Sequence, residues 1–183
     1  SPPAYGLKTY ASLFTPRQLV ALTTFSDLVG DARALVREHA VVAGMAADGM
    51  GIDAGGAGAN AYADAVATYL SLGVSKLADS QSSLARWKPS MDQTIATFGR
   101  QALPMVWNYA ESNTFNNAAG DYATTVNTIV KVLNDVAATP LLAQVRQLDA
   151  SSSIDGTPDS LIATDPPYYD NIGYADLSDF FYI

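Results

Sequence analysis

The sequence predicts a mainly α-helical chain that ends in a small α/β tail. Three observations carry this. Apolar residues recur at helical spacing in several stretches before Pro140. Recognisable helix start signals precede the first and the last of these stretches. Short apolar runs that stop at an acid, the mark of strands, occur only after Pro140. The expected division is a helical region over residues 1–140 and an α/β segment over 141–183.

The first helix starts at Thr15-Pro16-Arg17-Gln18, a capping box with proline at the first helical position. Leu19, Leu22, Ser26, Val29, Ala32 and Val36 then form a stripe, and the helix is expected to reach about Met45. Asp48 to Asn60 is a glycine-rich connection. A second helix follows with Tyr62, Val66, Leu70, Val74 and Leu77 on one face. Ser80 to Ser90 reads as irregular. A helix is expected over Asp92 to Gln101, and another from Pro104 through Trp107 to Ala110. Glu111 to Gly120 is polar and Asn-rich, hence a loop. Asp121 caps a helix carrying Val126, Ile129, Val130 and Leu133 that ends near Pro140. Two short strands are expected, Gln144 to Asp149 and Ser160 to Thr164, as parallel members of one sheet.

Composition bounds the function. The chain has 183 residues, enough for one domain with a core, and 49% of them are hydrophobic. No apolar run is long enough to span a membrane and no secretory signal is visible, so a cytoplasmic location is expected. Cysteine is absent and His39 is the lone histidine, which excludes disulfides and zinc centres built on Cys and His. The net charge is −8 with ten Lys and Arg, too few basic groups to grip a DNA backbone unless they are focused on one face or supplied from elsewhere.

The most informative stretch is Leu161-Ile162-Ala163-Thr164-Asp165-Pro166-Pro167-Tyr168. An apolar run ends in an acid, two prolines that lack N–H donors, and an aromatic ring. In open α/β sheets ligands bind at the carboxyl end of strands. The bland reading is a proline-stiffened turn after an edge strand. Asp165 to Tyr168 resembles the catalytic motif of amino-directed S-adenosylmethionine-dependent DNA methyltransferases. The longer run Thr164 to Tyr182, with Leu13 to Thr24 and Thr97 to Trp107, resembles a prokaryotic family of adenine-specific DNA methylases.

That resemblance implies a partial Rossmann-like methyltransferase sheet with the helical region inserted into it. It implies S-adenosylmethionine as cofactor and DNA as partner, from a restriction, modification or phage-defence system. Asp165 and the carbonyl of Pro166 would accept hydrogen bonds from the target amino group, Pro167 would stiffen the turn, and Tyr168 would stack on a flipped base. Asp149 would accept a hydrogen bond from the cofactor adenine; equally, it is a turn-former before Ser151-Ser152-Ser153. A similar Pro-Pro-Tyr turn serves protein-glutamine methyltransferases, which usually carry Asn where Asp165 stands.

Other features read more blandly. Gly55-Gly56-Ala57-Gly58-Ala59-Asn60 has no strand before it, so a helix entry is favoured over a cofactor loop. The cofactor's glycine loop is therefore not recognisable, and the chain reads as a fragment that needs the remainder of a parent protein. Arg86-Trp87-Lys88 pairs cations with an indole, as single-strand binders do, although a partly buried Trp anchor is the commoner arrangement. Asp170, Asp176 and Asp179 fit no cation loop, and no metal site is expected. The competing function is a non-catalytic helical interaction module that keeps a relic motif.

Overall fold

A computed structural model describes residues 2–99, 101–136, 145, 147–149, 161–166, 168–169 and 171–182. Its described residues are mainly helical with one small two-stranded antiparallel sheet. Helix α1 spans Pro16–Val42, α2 Ala59–Ser80, α3 Tyr122–Asp135 and α4 Tyr174–Asp179; strands β1 and β2 are Arg86–Lys88 and Gln93–Ile95. Single turns of 3-10 helix cover Pro2–Tyr5, Tyr10–Leu13 and Ile52–Ala54.

Helix α1 begins where its capping box predicts. The Gln18 amide N–H donates to Thr15 Oγ1 at 3.2 Å, and the Thr15 N–H donates to Gln18 Oε1 at 2.8 Å. Its inward stripe is Gln18, Leu22, Phe25, Val29, Ala32, Val36 and Ala40, while Ser26 is exposed. Helix α2 returns alongside α1; of the expected stripe Leu77 is buried and Val66, Leu70 and Val74 are half-buried, and Tyr62 alone departs from it. Tyr62 is exposed; Ala59, Ala63, Ala67, Gly73 and Leu77 face inward. Small side chains let the two helices approach closely, which an apolar-periodicity reading that favours large residues misses. Arg33 bridges to Asp64 at 2.6 Å and the Arg37 Nε–H donates to Asn60 Oδ1 at 2.6 Å, pinning the far end of the pair. Helix α3 crosses at Gly73, where a Cβ would lie 3.2 Å from the Tyr122 ring. The Tyr122 hydroxyl donates to the Leu70 carbonyl at 3.1 Å.

The helices expected over Asp92–Gln101 and Pro104–Ala110 do not form. Instead β2 pairs with β1, Trp87 opposite Thr94, across a turn at Pro89–Asp92 with Asp92 at φ 51°. Thr94 and Ile95 are β-branched and fit a strand better than a helix. The segment after Pro104 forms neither helix nor strand and bends at Trp107 and Asn108, and the Ala110 N–H donates to the Ala85 carbonyl at 2.8 Å.

The core joins both ends of the chain. Leu13, Phe14, Leu22, Leu77, Ala78, Leu84 and Phe180 are buried together. Phe180 is fully buried among Phe14, Phe98 and Phe181, with ring centroids 4.9–5.1 Å apart. The 4.9 Å and 5.1 Å contacts with Phe98 and Phe181 are edge-to-face, the arrangement the ring quadrupole favours.

The predicted strand at Leu161–Thr164 is not one here. Residues 161–166 form no strand, and Leu161 is 96% exposed. Val145 and residues 147–149 are likewise outside any strand; Gln144, Arg146 and Ser160 lie outside the described residues. The physical reason is that no partner strand lies among the described residues. A parallel strand exists through its ladder and the layers covering its faces. Among the described residues the only sheet is the antiparallel hairpin.

Candidate functional site

The motif segment is presented to solvent. Asp165 and Pro166 are exposed, and Tyr168 is 62% exposed. The Asp165 carboxylate has no hydrogen-bond or ion-pair partner among the described residues. Pro167 and Asp170 lie outside the described residues. The Asn171 N–H donates to the Tyr168 carbonyl at 3.0 Å, closing a turn just after the motif. Asp149 is exposed and has an interaction partner of its own.

Helix α4 fixes where this segment re-enters the body. It follows Gly173, and its exit residue Phe180 fills the aromatic core. Its Asp176 faces Tyr10. Burial raises the Tyr10 phenol pKa above its ordinary range, and the Asp176 and Asp179 carboxylates and a hydrogen bond to Asp176 push it further up. Tyr10, Leu7, Leu13, Leu103, Asp176 and Leu177 line a largely apolar cavity of about 340 Å³ between the N-terminal turns and α4. No pattern in the sequence flagged this cavity, because its walls come from three distant segments. No group of three or more potential metal ligands occurs among the described residues.

The upstream stretches that share the resemblance sit close to this region. Thr15 and Arg17 both hold Glu111: the Thr15 hydroxyl donates to Oε1 at 2.9 Å and the Arg17 guanidinium to Oε2 at 2.5 Å. That guanidinium holds the Glu111 carboxyl below the usual carboxylate range. Phe98 and Leu103 pack on the core that contains Phe180. Arg100 lies outside the described residues.

The glycine-rich run is not an open cradle. A Cβ on Gly56 would run into the Met50 carbonyl oxygen and lie 2.8 Å from that of Gly51. A Cβ on Gly58 would strike the Ala46 carbonyl oxygen. The glycines let this loop fold on its own backbone before α2 begins at Ala59. Ala46 to Met50 forms no strand. A dinucleotide-type or S-adenosylmethionine loop needs a strand before it and free backbone N–H groups facing the ligand. The described residues do not fit that cofactor. His39 is an exposed residue in the last turn of α1. No helix is long and apolar enough to cross a membrane among the described residues.

Compared with protein-family models, curated proteins and solved structures, the chain matches none.

Proposed function

We propose that the chain carries the target-activating motif of an S-adenosylmethionine-dependent DNA amino-methyltransferase, most simply an adenine-specific one. The observation that carries the reading is the block Thr164 to Tyr182, in which the acid, the two prolines and the ring stand in the family's order. The exposure of Asp165 and Tyr168 supports it, since both groups are free to meet a substrate. An exocyclic amino group is a weak nucleophile because its lone pair is delocalised into the ring. Asp165 accepts one amino hydrogen bond and the Pro166 carbonyl the other, which draws the nitrogen toward tetrahedral geometry. Tyr168 stacks on the base once it has left the duplex. The reading implies that Leu161–Thr164 becomes a strand of a Rossmann-like sheet when the sheet's other strands come from outside this chain. It also implies that the cofactor loop comes from outside, in a cytoplasmic enzyme acting on DNA.

The test is methyl incorporation into DNA from labelled cofactor by the full-length parent. Asp165→Ala lowers transfer by two or more orders of magnitude, comparable to losing one preorganised hydrogen-bonding group. Tyr168→Ala impairs transfer and Tyr168→Phe is mild, because stacking needs the ring alone. Near-native activity in Asp165→Ala refutes the assignment. The chain alone binds S-adenosylmethionine weakly or not at all by titration calorimetry; low-micromolar binding means that a complete cofactor site is present after all. The second reading, a non-catalytic interaction module with a relic motif, is favoured by one observation: Leu161–Thr164 is exposed chain rather than a strand.

A further inference from the structure

We propose that the β1–β2 hairpin is a contact site for single-stranded nucleic acid, with Trp87 as the stacking platform and Arg86 and Lys88 as the phosphate-binding cations. Charge distribution is the first support. In an acidic chain, Arg17, Arg33 and Lys76 are each held by a carboxylate, at 2.5, 2.6 and 3.0 Å. Arg86 and Lys88 have no such partner among the described residues and are both exposed. Among the described residues, the other cations without a carboxylate partner, Lys8, Arg37 and Lys131, lie apart from the hairpin, Arg37 on α1 and Lys131 on α3. Among the described residues, the hairpin thus brings together two cations without a carboxylate partner, within a strand of three residues.

The ring between them is the second support. Trp87 is 49% exposed, so it is not the buried anchor that such a residue commonly becomes. Strand alternation puts it on the face opposite Arg86 and Lys88. There it lines a cleft of about 250 Å³ with its cross-strand partner Thr94 and with Asn113 and Asn116. Asn113 and Asn116 use Oδ1 to accept the Phe115 and Ala118 N–H groups at 3.0 Å, leaving their Nδ2 groups unpartnered among the described residues. An indole beside free carboxamide donors suits a flat heteroaromatic ring with acceptors on its edge. Glu111 lines the same cleft and is paired with Arg17. Asp92, at the turn, leaves one negative charge there, which favours a neutral base over a phosphate on that side. The backbone then passes around the edge of the hairpin, and its phosphates meet Arg86 and Lys88 on the other face. A duplex does not offer a base face to Trp87, and this chain has too little basic charge to hold one.

This inference deepens the DNA-methylation reading but stands on different residues, so each fails separately: methyl transfer by Asp165→Ala tests that one, oligonucleotide affinity tests this one. The experiment is fluorescence anisotropy of a short fluorescein-labelled oligothymidylate with the 183-residue chain, across a salt series. Trp87→Ala weakens binding about 5- to 150-fold, the range for removing one stacked base, and Trp87→Phe retains most of it. The double variant Arg86→Gln/Lys88→Gln lowers the slope of log K against log salt by about 1.4, at about 0.7 for each phosphate that is no longer neutralised. Circular dichroism and thermal melting of each variant establish that it is folded. Three results overturn the proposal: no binding at low salt, affinity and salt slope unchanged in folded variants, or equal competition by polyglutamate that Trp87→Ala leaves unaffected. The last would assign the hairpin to an acidic polypeptide.

Discussion

Replacing Phe180 with alanine tests how the motif segment is anchored. The side chain is fully buried, and its ring meets Phe98 edge-on at 4.9 Å and Phe14 at 5.1 Å. Burying a phenyl ring stabilises by about 1.5–3 kcal/mol through transfer alone. The cavity left behind raises the usual cost of Phe→Ala to about 3–5 kcal/mol. The two long-range ring pairs are worth about 0.5–1.5 kcal/mol each beyond area, which favours the upper half of that range. For a chain of this size 1 kcal/mol moves Tm by about 2–4 °C, so a drop of about 8–20 °C is expected. Phe181 is 43% exposed, and its alanine variant should cost distinctly less. Urea denaturation followed by far-UV circular dichroism gives the free energies, and calorimetry gives Tm. If Phe180→Ala costs under about 1 kcal/mol with an unchanged m-value, α4 is not docked in the core and the anchoring argument fails.

Two further sets of substitutions probe the scaffold. Gly56→Ala should destabilise by about 3 kcal/mol, the upper end for overpacking, because the obstructing atoms are backbone carbonyls of Met50 and Gly51 and cannot rotate away. Gly30→Ala in the open middle of α1, with nothing within 4 Å of the new methyl, should stabilise by up to about 1 kcal/mol; equal and small effects in chemical denaturation would show that the loop is not closely packed. Asp121→Ala should cost about 1–2 kcal/mol, since the carboxylate caps α3 by accepting the Thr124 N–H at 2.8 Å and also holds the Asn117 N–H at 3.1 Å. The Thr124 hydrogen bond, then that from Asn117, lowers the Asp121 pKa below its ordinary value. A carboxyl whose folded pKa is depressed binds its proton more readily in the unfolded chain. The stabilisation is therefore complete above the unfolded carboxyl value of about 3.9 and is lost as pH falls through the folded one. Melting curves across acid pH should show the native protein losing stability faster than Asp121→Ala, and parallel curves would contradict this.

The parts of the fold that local chemistry dictates are legible in the sequence. Thr15-Pro16-Arg17-Gln18 and Asp121 each specify a helix start through their own side chains, and α1 and α3 begin there. The loop at Glu111 to Gly120 also reads directly from its Asn and Gly content. The hairpin is present in the sequence as Trp87, the turn signal at Pro89 and β-branched Thr94 and Ile95, but a helical spacing across Asp92 to Gln101 masks it. The periodicity reading finds Leu77 on the buried face of α2 but not Ala59, Ala63, Ala67 and Gly73, because alanine and glycine carry little hydrophobic weight, although they decide how closely helices pack. Leu161–Thr164 reads as a strand on composition, yet strand formation depends on a neighbour that local sequence does not reveal. At the candidate site, the exposure of Asp165 and Tyr168 agrees with a substrate-facing role, whereas the cavity beside Tyr10 and Asp176 depends on long-range packing alone.

Asp79 gives the end of α2 a reach beyond its own helix. Its backbone carbonyl accepts the Thr97 N–H at 2.7 Å and the Thr97 hydroxyl at 2.7 Å, and its carboxylate accepts the Phe98 N–H at 3.1 Å. Because the Thr97 hydroxyl gives its proton to Asp79, the buried Ser82 hydroxyl must donate to Thr97, 2.6 Å away. Phe98, fixed by these bonds, is the ring against which Phe180 closes. This links the end of α2 to the docking of α4, and the expected result is that the Thr97 and Phe98 amides exchange with solvent at the rate of the amides at the α4 end, Phe181 and Tyr182. Asp79 thus reaches α4 through Phe98, and a loosening there would be felt at the point where α4 docks.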